Sequence, residues 1–141
     1  THFIERKTLS VKDHQKELLV RLQKSERLCL FPEGTSSDGL RVLPFKSSLF
    51  EIFIQYNKLS GLETFIQPVS IFYSAPKGKP KDFYGWWGEM SLINHLISVV
   101  GSWKKGDIIL TFNSPISATK INDRKKLAKE AEKIIRASLR R

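Results

Sequence analysis

Residues 28 to 50 read LCLFPEGTSSDGLRVLPFKSSLF, an apolar run that stops at Pro32 and is followed by a lone carboxylate, Glu33. Pro32 removes a ladder amide, so a buried strand over Leu28–Phe31 ends there and Glu33 falls at its C-terminal end. In α/β sheets the space beyond the carboxyl ends of the strands is where ligands sit. Gly34 permits positive φ and a close backbone approach, and the amides and hydroxyls of Thr35, Ser36 and Ser37 suit an anion. Downstream, Lys46 near a helix start suits an anion as well. The same residues also make a plain chain reversal, with Glu33 capping amides, Asp38-Gly39 turning the chain and Lys46 solvated.

The elements that must position this turn can be read from periodicity. Val11, Leu18, Leu19 and Leu22 predict an amphipathic helix from Ser10 to about Ser25, with Ser10 and Asp13 resembling a capping box. Pro44 predicts a helix start before FKSSLFEIFIQYNK, with Leu49, Ile52, Phe53 and Tyr56 on one face and Ser60-Gly61 as its stop. A strand is expected over Phe65–Tyr73, then a long loop from Ser74 to Gly88, helix-like residues from Ser91 to about Val100, and a buried strand over Asp107–Phe112. Asn122 is the expected cap of a last helix that turns Leu127, Ala131, Ile134, Ile135 and Ser138 inward. Strands alternating with helices argue for an α/β layered fold.

Composition narrows the partners. The chain has 141 residues and 40% hydrophobic content, enough for one domain with a core. A formal charge of +10 favours an anionic partner: nucleic acid, a membrane surface or a phosphorylated substrate. Between Lys120 and Arg141 there are nine Lys or Arg against three Asp or Glu, a basic face suited to anionic lipid, an acidic carrier protein or plain solvent. Trp86, Trp87 and Phe83 beside Lys77, Lys79 and Lys81 suit either a membrane interface or core packing. No nucleic-acid motif is present and the cations scatter over several elements, so nucleic acid is not the expected partner. A single cysteine, Cys29, excludes an intrachain disulfide and is expected to be buried and inert. No stretch approaches the roughly 18 uninterrupted apolar residues of a membrane-spanning helix.

FPEGTSSDG followed by VLPFKSSLF resembles the FPEGT block of the glycerolipid acyltransferases, the lysophosphatidate acyltransferase-like family. Phe3-Ile4-Glu5-Arg6 resembles a second block of that family, Gln67-Pro68-Val69 a fourth, and Tyr84-Gly85-Trp86-Trp87-Gly88 with Leu92 and His95 its later region. The resemblance implies a glycerol-3-phosphate acyltransferase-like fold with a central, mostly parallel sheet flanked by helices, residues 1–141 being one domain and incomplete at the N-terminus. It also implies transfer of a fatty acyl group from acyl carrier protein or coenzyme A to a lysolipid hydroxyl at the cytoplasmic face of the inner membrane. By that resemblance Arg6, Glu33, Gly34 and Thr35 bind the acceptor's polar head; Ser36 and Lys46, read from the turn and the helix start themselves, are expected to join them. No metal and no cofactor beyond the thioester donor is implied.

The family's general base is a histidine in an H-x-x-x-x-D block, where the aspartate orients the imidazole. His2, His14 and His95 have Lys7, Leu19 and Val100 in the position of that aspartate, so no catalytic base is expected in this chain. The block is expected upstream of Phe3, which makes the chain the C-terminal portion of an acyltransferase, inactive alone, or else a catalytically dead lipid-binding remnant. Where the family block continues with arginine this chain has Ser36, which cannot make a bidentate phosphate contact. The Ser-Ser-Asp-Gly variant looks most like family members acting on lyso-ornithine lipid.

Overall fold

The computed structural model describes residues 11–139. Phe3-Ile4-Glu5-Arg6 and the Ser10 end of the expected capping box lie outside the described residues.

Among the described residues four helices and four short strands follow in the order α1 (Val11–Gln23), a 3₁₀ turn (Ser47–Phe50), α2 (Glu51–Ser60), β1 (Phe65–Ile66), β2 (Val69–Tyr73), α3 (Leu92–Gly101), β3 (Ile108–Phe112), β4 (Ile116–Ser117) and α4 (Arg124–Ser138). The core is built where the periodicities of α2 and α4 meet. Ile52 and Leu127 are fully buried, with Phe50, Phe53, Ile54, Ile116, Ala118, Ala128 and Ala131 around them. α1 lies against α2, and Gln15 on α1 donates to the Ser48 carbonyl at 2.7 Å.

Helix ends follow local chemistry. Gly61 stops α2 in the left-handed conformation, φ 68°, with its amide donating to the Asn57 carbonyl at 3.0 Å. Ser91 caps α3, its hydroxyl accepting the Asn94 amide. The cap of α4 is Asp123 rather than Asn122: its carboxylate accepts the Lys126 amide at 2.8 Å, and its backbone is extended while Arg124 is already helical.

The sheets differ from expectation. Among the described residues there are two two-stranded ladders, both antiparallel, and the expected central, mostly parallel sheet is not shown. The cause lies in the excursion between β2 and β3, which leaves and returns at one place: the Ser74 amide donates to the Asp107 carbonyl at 2.9 Å, and the Asp107 amide to Ser74 Oγ at 2.9 Å. A chain that comes back to the end it left must run antiparallel. The expected Phe65–Tyr73 strand is divided because Pro68 has no amide to give, while its carbonyl accepts the Asn113 amide at 3.0 Å. Opposite the break, the pairing of Val69 with Phe112 and of Ile66 with Ile116 leaves one extra residue in the 113–115 segment, a bulge between the ladders.

Three further expectations change. Leu28–Phe31 forms no ladder among the described residues, although Leu28 and Leu30 pack on the core while Phe31 is 73% exposed. Cys29, on the outward side of that alternation, is exposed rather than buried. Every residue of β3 is exposed, since β2 is its partner along one edge and no described element covers its apolar side chains.

Candidate functional site

The turn after Pro32 is fixed by backbone and carboxylate together. The Gly34 amide donates to the Phe31 carbonyl at 3.1 Å, and Gly34 takes φ 67°, a conformation costly to any residue with a Cβ. The Pro32 carbonyl accepts the Lys46 amide at 2.8 Å, which lays residues 44–46 beside the turn. The Lys46 side chain then crosses the face of Gly34: a Cβ there would sit 2.7 Å from Lys46 Nζ and 2.9 Å from its Cδ and Cε. Gly34 is therefore required by its dihedral angle, and a Cβ there would also push aside the flexible end of Lys46.

Glu33 is half-buried, and its Oε2 accepts the Leu43 amide at 3.2 Å. Burial holds its carboxyl above the usual range, against the opposing pull of that amide and of the Arg136 guanidinium, with the Glu132 charge adding to the rise. From α4, Glu132 Oε2 accepts the Phe45 amide at 2.9 Å and its Oε1 accepts Arg136 Nε at 2.8 Å. Burial alone would raise Glu132, but these two bonds and the Arg136 charge outweigh it and leave the carboxyl below its ordinary value. Two carboxylates and a guanidinium thus tie the segment that carries Lys46 to the last helix.

Of the six residues singled out from the sequence, Glu33, Gly34 and Lys46 come together at one end of this network. Thr35 and Ser36 follow on the same turn and are exposed. Arg6 lies outside the described residues. The helix after Lys46 begins as a four-residue 3₁₀ turn, Ser47–Phe50, with no side-chain cap. Among the described residues no cluster of His, Cys, Asp or Glu could hold a metal ion.

The far side of the turn meets the Tyr84-Gly85-Trp86 segment. A Cβ on Gly85 would sit 2.6 Å from the Asp38 carbonyl oxygen, so only glycine allows these two backbones to touch. Between them lies a cleft of about 280 Å³ bordered by Ser36, Asp38, Tyr73, Lys81, Tyr84 and Trp86.

The family model for Acyltransferase matches residues 1–72, which include the whole Glu33–Lys46 arrangement. The chain belongs to the acyltransferase family. A lyso-ornithine lipid O-acyltransferase of Rhodobacter capsulatus is 37% identical over 139 residues, covering 99% of this acyltransferase chain and 50% of that protein. One of the same name from Brucella abortus is 36% identical over 99% of the chain and 54% of that protein, and one from Rhizobium meliloti 35% identical over 70% and 36%. The chain spans about half the length of the first two relatives. No solved structure matches it.

Sequence reasoning passed over Glu132, Arg136 and the cleft of the acyltransferase chain. The spacing of Glu132 and Arg136, four apart on a helix, signals a pair on one face. Nothing local signals that Phe45, 87 residues earlier, needs that carboxylate.

Proposed function

We propose that the protein carrying this chain transfers a fatty acyl group from an acyl carrier protein or coenzyme A thioester to the hydroxyl of a lysolipid, lyso-ornithine lipid before 1-acylglycerol-3-phosphate. The hydroxyl oxygen attacks the thioester carbonyl carbon, the carbon–sulfur bond breaks, an ester forms, and the thiol leaves with the proton. One observation carries the assignment of acceptor: identity of 36–37% to proteins named for lyso-ornithine lipid, running over 99% of the chain.

In this reading Glu33, Gly34, Thr35, Ser36 and Lys46, with Arg6, receive the acceptor's polar head. The close approach of Lys46 to Gly34 supports it by setting a cation on the turn itself. The chain contains no H-x-x-x-x-D, so by itself it binds acceptor without turning it over.

A membrane surface is the setting this reading requires. Among the described residues no helix is long and apolar enough to cross a membrane. Leu92, Ile93, Leu96, Ile97 and Val100 form an exposed face of α3, which leads to Trp103, 97% exposed, and to Lys104 and Lys105. Lys105 Nζ donates to the Val99 and Val100 carbonyls at 3.1 Å, which sets a cation at the end of that apolar face. Apolar, tryptophan and lysine side chains in that order suit the headgroup region of an anionic leaflet, and the cytoplasmic face of the inner membrane is where such an enzyme would meet its carrier-bound donor.

The test is acylation by the intact protein of lyso-ornithine lipid and of 1-acylglycerol-3-phosphate, each with acyl carrier protein and coenzyme A donors. Ester formation on lyso-ornithine lipid is expected, with loss of turnover in Glu33→Ala and Arg6→Ala. No product from either acceptor would refute the activity, and full turnover in both variants would refute the site.

A further inference from the structure

The cleft between the Ser36–Asp38 turn and the Tyr84–Trp86 segment is built from three stretches of sequence. Asp38 Oδ1 accepts the Leu40 amide at 3.0 Å, which orients the carboxylate, while its Oδ2 pairs with Arg41 at 3.6 Å. The Asp38 side chain is 20% exposed and the Arg41 side chain 73%, so a ligand cation can displace the solvent-facing guanidinium. The aromatic walls are fixed by their polar ends. Tyr84 Oη accepts the Gly106 amide at 2.8 Å, Trp86 Nε1 donates to the Met90 carbonyl at 2.8 Å, and the Tyr73 and Tyr84 rings lie 5.9 Å apart. Lys81 adds a cation to the same rim.

An oriented carboxylate, aromatic faces and a lysine around about 280 Å³ describe a ligand carrying both an ammonium and a carboxylate on a short aliphatic stem. A phosphate monoester fits poorly, since its two negative charges would face Asp38.

We propose that this cleft binds the zwitterionic headgroup of an N-acylated amino-acid lipid, Asp38 taking the ammonium, Lys81 the carboxylate, and Tyr73, Tyr84 and Trp86 enclosing the stem. The proposal rests on the acceptor reading above and assigns its selectivity to residues outside the Glu33–Lys46 end of the turn. The lipid's hydroxyl is then presented beyond the cleft and its acyl chain toward the membrane.

Two measurements on the intact protein test it. The first compares kcat/KM for lyso-ornithine lipid and 1-acylglycerol-3-phosphate in wild type, Asp38→Asn, Lys81→Met and Lys81→Arg. Asparagine keeps an acceptor for the Leu40 amide and removes the charge. The selectivity ratio is expected to fall roughly 10-fold in Asp38→Asn and in Lys81→Met, through KM for the ornithine lipid, as expected for loss of a charge-assisted contact. Lys81→Arg should restore it. An unchanged ratio, or an equal fall for both acceptors, would overturn the proposal. The second titrates Nα-acetylornithine, a soluble headgroup, by calorimetry. Saturable binding weakened by Asp38→Asn supports the cleft even if neither lipid is acylated, whereas absence of binding, or binding indifferent to Asp38, overturns it.

Discussion

Replacing Glu132 by alanine should cost about 2 kcal/mol of stability, most of it from the half-buried Phe45 amide that would lose its acceptor. An amide left unsatisfied in a partly buried position costs roughly 1–3 kcal/mol, and the lost i,i+4 pair with Arg136 adds about 0.3–0.5 kcal/mol. For a chain of 141 residues this is a fall in Tm of roughly 5–10 °C. Glu132→Gln separates the two contributions, because the amide oxygen still accepts from Phe45 while the charge opposite Arg136 is gone. It should cost only the ion-pair share, about 0.3–0.5 kcal/mol. Urea unfolding followed by circular dichroism reads both, with the slope unchanged and the midpoint moved. A loss below about 0.5 kcal/mol in Glu132→Ala would mean that water satisfies the Phe45 amide and that α4 does not hold the Lys46 segment.

Gly34→Ala and Gly39→Ala should each cost about 1–2 kcal/mol from φ 67° and 74°, the displaced end of the exposed Lys46 adding little at Gly34; a loss well below 1 kcal/mol in either by urea unfolding would refute the left-handed backbone there. Leu127→Ala, emptying a fully buried position, should cost about 2–5 kcal/mol in the same assay. The two carboxylates should respond to pH with opposite signs. Glu132, held low when folded, gives stability that is present above its unfolded pKa and lost as pH falls through the folded value. Glu33, held high when folded, opposes folding at neutral pH and ceases to do so below the ordinary glutamate pKa, so Glu33→Gln should gain on wild type at neutral pH and lose that gain on acidification. A gain independent of pH would show that Glu33 is not destabilised by burial.

What could be read from the sequence was whatever a single segment decides. The stop of α2 at Gly61 and the inward Leu127 and Ala131 of α4 follow from one glycine and one period of 3.6. Pro68 was visible too, but its consequence depends on Asn113 and the bulge beside it, which a strand pattern does not contain. The apolar run of β3 predicts burial only if another layer covers it, and composition cannot say whether one does. At the candidate site, Glu33, Gly34 and Lys46 were legible because they share a short stretch. Glu132 and the cleft were not, because they bring together residues 36–38 with 73 and 81–86, and residue 45 with 132.

The glycines show why the turn tolerates so little change. Gly34 is crossed by the Lys46 side chain on one side, and the Asp38 backbone is met by Gly85 on the other, with gaps of 2.7 and 2.6 Å to any added Cβ. The seven residues from Glu33 to Gly39 are therefore approached by a cation from the segment anchored on α4 and by an aromatic wall from the loop after β2. A headgroup binding there would touch fixed partners on both sides, with little ordering left to do at the moment of binding. Selectivity would then be divided spatially. In the proposed reading Lys46 and Glu33 meet a part of the polar head that every acceptor presents, and Asp38 and Lys81 meet the part that distinguishes one headgroup from another. Substitutions at the two ends should consequently separate in kinetics, the first lowering turnover with every acceptor and the second changing the preference between acceptors.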